Sequence, residues 1–445
     1  LSCADATYNA FGTRVMAACG GARMPLSGSI ELTFRCNLRC VHCYIPDFSG
    51  RGEMTTEEIR RILGEAADAG CLWMLLTGGE VLSRADFPAI YRHVKRLGML
   101  PTVFTNGTLL DQRHADLFAE YPPLGVEITL YGMSDATYER TTGVPGRFRR
   151  VREAVERLHA AGVRLTLKAV AMQGLIDELP AMRAWADSLG LPFRYDGTIH
   201  GRLDGSLQPV AARATPEEIV GLDAADPERR AHWQRFYDQF VRSTPKTDRL
   251  LSCGAGLQSF HVDPRGWLWS CEALPLDGYD LRRGSFLEGW EGIVGAVRER
   301  KAAAENVCVR CDLKALCDRC PATAILETGS PDGWIPHFCE LTHRRAALLE
   351  SESGDPARAD RYLAHAEKVA SGWTPPGVAL PRAHALAATG CSPTAGPGPA
   401  ARPSAAPACG SGACASGCGV AALSARPQTD TLLSIERPKS AENQR

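Results

Sequence analysis

The chain has 445 residues, enough for two or three domains, with 44% hydrophobic and 23% charged residues, as in an ordinary globular protein. A formal net charge of −1 offers no basic field for a nucleic-acid backbone. No apolar run reaches the length of a membrane span and the N-terminus shows no signal-peptide pattern, so the expectation is a cytoplasmic protein without nucleic-acid or membrane partners.

In chain order, residues 1–27 read as a helical lead-in, with the helix itself over 5–20. Strand-like runs follow at 29–34, 72–77, 101–105, 125–131, 163–172 and 192–196. Amphipathic helical patterns separate them at 54–70, 86–97, 111–120, 147–161 and 177–189. The first of these has a threonine cap signal, acidic residues in its first turn and a glycine stop. Six strands alternating with helices imply an α/β fold with a parallel sheet, open or curled into a barrel, whose ligands gather at the strand ends. Residues 28–207 form this domain, and 208–250 read as a helical linker. Residues 251–345 are rich in cysteine, glycine and tryptophan, as suits a small domain held by metal. Residues 346–373 read as a polar helical extension, and 374–445 as a disordered tail rich in Ala, Pro, Gly and Cys.

Seventeen cysteines in a chain of this composition favour metal sites over a disulfide framework, because the cytosol keeps thiols reduced. Cys36, Cys40 and Cys43 stand in a C-x3-C-x2-C array at the end of the first strand. Three thiolates on one loop can ligate three irons of a cubane cluster and leave the fourth iron open for chemistry. A structural zinc ion is the alternative, and it would need a fourth ligand near His42. Farther on, Cys253 and Cys271 flank a glycine, and Cys308, Cys311, Cys317, Cys320 and Cys339 follow. Paired C-x2-C units alone would fit a zinc ribbon, although seven cysteines exceed one zinc site.

The first array resembles the defining motif of the radical S-adenosylmethionine (SAM) superfamily, and the resemblance spans roughly residues 28–200. It implies a partial (β/α)6 barrel and a [4Fe-4S] cluster that binds SAM and splits it to a 5′-deoxyadenosyl radical. Thr77-Gly78-Gly79-Glu80 is similar to the family's glycine-glycine-glutamate element, with Val81 where proline is usual. Asn106 and Gly107 resemble its Thr-Asn-Gly element, Thr129 stands at a ribose-binding position, and His42 at an adenine-neighbouring one. The resemblance therefore implies SAM contacts from His42, Gly78, Gly79, Glu80, Asn106 and Thr129.

The second group resembles a SPASM domain, a module with two auxiliary [4Fe-4S] clusters. The spacing of two residues between Cys317 and Cys320 departs from the usual three. Carried across, the pattern implies Cys308, Cys311, Cys317 and Cys339 around an outer cluster, and Cys253, Cys271 and Cys320 around an inner one. The inner set then has an open iron or a non-cysteine ligand such as Asp263 or His261. SPASM enzymes often act on ribosomally made peptides, installing thioether or carbon–carbon crosslinks. The resemblance thus implies a precursor peptide as substrate and a flavodoxin- or ferredoxin-like electron donor. No extra leader-peptide-binding domain is legible, so a separate leader-peptide-binding protein is expected. The alternative is a small-molecule or tetrapyrrole pathway enzyme, with Arg164, Lys168, Arg194 and Arg202 as a cationic pocket. Tyr131, Asp196 and Arg202 are expected near substrate, and Cys409, Cys414 and Cys418 in the tail read as incidental or as a fused substrate mimic.

Overall fold

A computed structural model describes residues 11–376 and 378, apart from 13, 16, 17, 20 and 242–246. Most of the expected lead-in helix and nearly all of the tail, with Cys409, Cys414 and Cys418, lie outside the described residues.

Six strands, β1 (Ser27–Glu31), β2 (Trp73–Thr77), β3 (Leu100–Thr105), β4 (Gly125–Leu130), β5 (Leu165–Val170) and β6 (Phe193–Asp196), pair in parallel and in sequence order. The register sets Glu31 opposite Thr77 and Thr129 opposite Lys168. Alternation along each strand splits the side chains between two faces. Ile30, Met74, Leu76, Val103, Val126, Ile128 and Leu167 are buried in the main core, while Ser29, Glu31, Glu127, Thr129 and Lys168 fall on the alternate positions. The crossovers carry α1 (Thr56–Asp68), α2 (Phe87–Arg96), α3 (Gln112–Glu120), α4 (Asp135–Thr142), α5 (Arg147–Ala160) and α6 (Leu179–Ser188). Helix α1 begins where the Thr55 hydroxyl accepts Glu58 N–H at 3.2 Å while the Glu58 carboxylate accepts Thr55 N–H at 2.7 Å. Ile59, Ile62, Leu63 and Ala66 then bury one stripe of it.

Strand β1 is not an edge. On its other side lies β7 (Ser259–Val262), again parallel, with Ser27 opposite Ser259. The antiparallel β8 (Trp267–Trp269) and β9 (Tyr279–Asp280) complete a nine-stranded sheet in the order β6-β5-β4-β3-β2-β1-β7-β8-β9. The cysteine-rich region therefore supplies three strands to the same sheet that carries the first cysteine array.

Helices α7 (Pro216–Ala225), α8 (Pro227–Phe236), α9 (Phe286–Gly289), α10 (Gly295–Arg298), α11 (Pro321–Thr328), α12 (Pro336–Ser353) and α13 (Pro356–Ala370) cover the remainder. Helix α12 runs through residues 345 and 346 without a break, and α13 packs along it after a turn at Gly354, φ +93°. Asp223 on α7 ties this layer together. Its buried carboxylate takes Arg229 of α8 at 2.5 Å and Arg345 of α12 at 2.8 Å. Among the described residues no helix is long and apolar enough to cross a membrane.

Candidate metal centres

The chain leaves β1 through Thr33, Phe34 and Arg35 into the loop of Cys36, Cys40 and Cys43, and each step is pinned. Glu53 accepts Phe34 N–H at 2.7 Å and the Thr33 hydroxyl at 2.8 Å. The Arg39 guanidinium donates to the carbonyls of Cys36 and Leu38, both at 2.7 Å. Arg202 donates to the Cys43 carbonyl at 3.3 Å. The sulfurs meet further donors: Leu38 N–H lies 3.4 Å and Asn106 Nδ2 3.8 Å from Cys36 Sγ, and the Tyr131 hydroxyl bonds Cys40. Burial pushes the Cys36 thiol up to about 11, and drives Cys40 and Cys43 upward as well. Cys36 and Cys40 also feel the negative charge of neighbouring groups, which opposes ionisation. Three thiols that cannot ionise side by side unaided are a donor set suited to a cationic cluster, which displaces their protons on binding.

The glycine-glycine-glutamate turn closes over this loop. Gly79 N–H donates to Thr33 O at 2.7 Å and Glu80 N–H to Arg35 O at 2.9 Å. Gly78 has φ +146°, and a Cβ there would stand 2.5 Å from Thr33 O. Only glycine lets the two backbones approach this closely. Glu80 is 1% exposed. Its Oε1 accepts the Thr105 hydroxyl at 2.7 Å and Leu82 N–H at 3.2 Å, and its Oε2 accepts Asn106 N–H at 2.7 Å. Burial raises its pKa and those bonds only partly offset the rise. The residue thus braces the end of β2 against the end of β3 and keeps one of about four carboxylate acceptor positions unspent. Asn106 is itself committed, with Nδ2 on Asn37 at 3.0 Å and Oδ1 on Thr108. Thr129 is half-buried on β4. The His42 ring is tilted against Tyr131 at 5.6 Å, with Nδ1 buried and unpartnered among the described residues. Burial lowers its pKa to about 4, so it is neutral.

Below the loop the sheet interior is polar. Glu31 accepts the Tyr44 hydroxyl and faces His261 Nε2 at 3.6 Å, while His261 Nδ1 meets Ser29 Oγ at 2.8 Å. Burial works against a charged His261, yet the bond and charge of Glu31 outweigh it and its pKa rises. Opposite, Glu127 takes Arg194 at 2.5 Å and Lys168 at 3.5 Å, and the ammonium sits 3.0 Å from the centre of the Phe104 ring. Glu272, next to Cys271, acts electrostatically on Lys168, Tyr44 and His261, so strands from both halves of the sheet face one interior.

Seven of the other described cysteines form two groups. Cys308, Cys311, Cys317 and Cys339 line one small cavity with Arg319 and Trp334. Cys253, Cys271 and Cys320 lie close enough that the first and last raise the Cys271 thiol, after burial and Glu272. Cys320 caps α11, where its sulfur accepts Thr323 N–H at 3.5 Å. Asp263 and His261 are bonded elsewhere: Asp263 accepts Arg265 N–H, Trp267 N–H and Trp269 Nε1, and His261 keeps its Ser29 and Glu31 contacts. Tyr131 and Arg202 support the first loop, whereas Asp196 is exposed and accepts Thr198 N–H. Glu53, Arg39, Asn37, Tyr44 and Glu31 escaped the sequence reading, which took His261 for a metal ligand and not for the partner of Glu31. Only Asn37 and Arg39, inside the cysteine array, carried a positional signal.

A parallel α/β sheet with three thiols gathered at the end of its first strand is the arrangement of a metal-binding protein. Residues 30–186 match the model of the radical SAM superfamily, and the chain is a radical SAM enzyme. It is 29% identical over 359 residues to a PqqA peptide cyclase of Xanthomonas euvesicatoria pv. vesicatoria, covering 76% of this chain and 94% of the relative. An AdoMet-dependent heme synthase of Methanosarcina barkeri is 26% identical, over 67% of this chain and 92% of that one. In fold the chain is similar to Streptococcus suis SuiB bound to the precursor peptide SuiA, at TM-score 0.57, 16% identity, and coverage of 74% and 80%.

Proposed function

We propose that this radical SAM enzyme modifies a ribosomally made peptide, forming a thioether or carbon–carbon crosslink, with a SPASM-type region behind its first site. The observation that carries the reading is the placement of two further thiol sets in a region that shares its sheet with the first set, in a chain similar over 76% of its length to a peptide cyclase. When bound, a [4Fe-4S] cluster and SAM would supply reductive cleavage to a 5′-deoxyadenosyl radical. Cys36, Cys40 and Cys43 would hold that cluster. Gly78, Gly79, Glu80, Asn106, Thr129 and His42 would line the SAM site, with the spare acceptor position of Glu80 for the ammonium group. Cys308, Cys311, Cys317 and Cys339 fit an outer auxiliary cluster, and Cys253, Cys271 and Cys320 an inner one.

The chain's own residues then orient substrate in the polar interior. Glu31, a buried carboxylate of that interior held between Tyr44 and His261, is the group we assign to accept a proton from substrate. The twelve described cysteines are unpaired with one another, as in a reducing compartment such as the cytoplasm. A flavodoxin- or ferredoxin-like donor and a separate leader-peptide-binding protein complete the set of partners.

The heme synthase relative favours a tetrapyrrole substrate as the second reading. Against it, Glu127 sits between Lys168 and Arg194, and Arg164 is exposed with its guanidinium on Leu124 O, so the cationic pocket it needs is largely neutralised. The test is anaerobic incubation of the reconstituted enzyme with SAM, reductant and the small peptides encoded beside its gene. Formation of 5′-deoxyadenosine with loss of two hydrogens from one peptide supports the proposal. Deoxyadenosine with every peptide unchanged, and side-chain loss from an added coproporphyrin, would overturn it.

A further inference from the structure

Cys339 lines one cavity with Cys308, Cys311 and Cys317, and its sulfur accepts a hydrogen bond from the Trp334 side chain. On that sulfur's flank stand two histidines. His343, one helical turn along α12, has Nδ1 3.8 Å from Cys339 Sγ and 2.7 Å from the Cys339 carbonyl. A carbonyl only accepts, so this nitrogen carries a proton and points it at the backbone. His365 comes from α13, beyond the last cysteine of the region, and sets Nε2 3.7 Å from the same sulfur. The two imidazoles stack with centroids 4.0 Å apart, and Trp373 packs edge-on against His365 at 5.5 Å. The ring of His365 is therefore held on both sides with its nitrogen on the thiol.

One use for these groups is a mononuclear cation site, since the three donor atoms lie within 4.8 Å of one another. The committed proton of His343 removes Nδ1 from such a site, and a cation there would draw Cys339 away from the three thiols it faces. With Nε2 protonated, the His365 contact has instead the form of an N–H to sulfur hydrogen bond.

We propose that His365 donates its Nε2 proton to the Cys339 sulfur and thereby sets the reduction potential of the iron–sulfur cluster held by Cys308, Cys311, Cys317 and Cys339. The inference rests on the ligand set assigned under Proposed function. A hydrogen bond to a ligating thiolate stabilises the more negative, reduced state and so raises the potential. His365 is a positioning residue in this scheme, acting on the cluster through Cys339. It also gives the α12–α13 hairpin a role in electron flow.

The experiment is an EPR-monitored redox titration of the reconstituted full chain, with iron and sulfide assayed on each sample. His365→Phe and His365→Leu remove the donor, and His365→Gln keeps an N–H. The donor-less variants should retain wild-type iron while the outer cluster's midpoint moves to more negative potential and the other signals stay in place. The glutamine variant should recover part of that shift. An unmoved midpoint at full iron content overturns the inference alone. Loss of one cluster's iron in both donor-less variants also overturns it, because His365 is then a ligand or a structural prop. Cys308→Ala separates the underlying assignment: if its iron content equals wild type, the ligand set fails and the inference with it.

Discussion

Gly79→Ala should disable the first metal site without touching a ligand. A Cβ on Gly79 would stand 2.5 Å from Arg35 O and 2.6 Å from Phe34 O. Carbon–oxygen contacts settle at roughly 3.3–3.6 Å, so the overlap with each carbonyl is about 0.7 Å or more. Neither oxygen belongs to a flexible side chain. The Arg35 carbonyl also accepts Glu80 N–H at 2.9 Å, and it cannot swing away without breaking that bond. Overpacking of this kind costs about 1–3 kcal/mol, and the strained hydrogen bond adds about 1 kcal/mol. The expected loss is therefore about 2–4 kcal/mol, with the displacement falling on residues 34 and 35, directly before Cys36. Urea unfolding would measure the stability, and iron content after anaerobic reconstitution would report on the loop. Gly64→Ala is the control: it lies within α1, a Cβ there meets nothing within 4 Å, and it should stabilise by about 0.5–1 kcal/mol. A Gly79→Ala protein with the wild-type urea midpoint and full iron would refute the steric argument.

Two further outcomes follow from buried charge. Asp223→Ala leaves Arg345 buried beside an uncompensated Arg229 and should cost about 3–5 kcal/mol in urea unfolding, part of which Arg345→Met should restore in the double variant. Burial brings the Lys168 ammonium down from 10.5 to about 7, despite support from Glu127. The native state then binds fewer protons than the unfolded chain between those pH values, so this group's penalty is full below pH 7 and fades as pH rises. The stability of wild type relative to Lys168→Met should therefore climb from pH 7 to 10 by up to about 1.4 kcal/mol per unit, and a flat difference would contradict the assignment.

The strands and most helices of the first half were legible because alternating or 3.6-residue apolar patterns end at Gly, Pro or capping residues. Helix α4 was not, since its buried face is made of Thr137, Tyr138, Thr141 and Thr142 and carries no aliphatic stripe. The short strands β7–β9 were also hidden: each has two to four residues, and β7 pairs with a strand more than 200 positions away, a separation no local pattern records. Asp263-Pro264-Arg265-Gly266 was a usable hairpin signal, with Gly266 at φ +85°. At the site, the cysteines announced themselves by type and spacing. Glu53 and Glu31 did not, because a lone carboxylate looks the same in sequence whether it braces a loop or faces water.

The parallel pairing of β1 with β7 has a consequence for the order in which the protein is made. Strand β1 leaves the ribosome long before its second neighbour, which is synthesised more than 200 residues later. Until then the strand that roots Cys36, Cys40 and Cys43 has one bare flank, open to pairing with any other extended chain. Closing so long a loop is slow, and the nascent chain is exposed to aggregation in the interval. Metal loading of the first loop on its settled framework thus belongs after translation of the cysteine-rich region. Chains truncated before residue 262 should collect as aggregates instead of accumulating as an autonomous catalytic half.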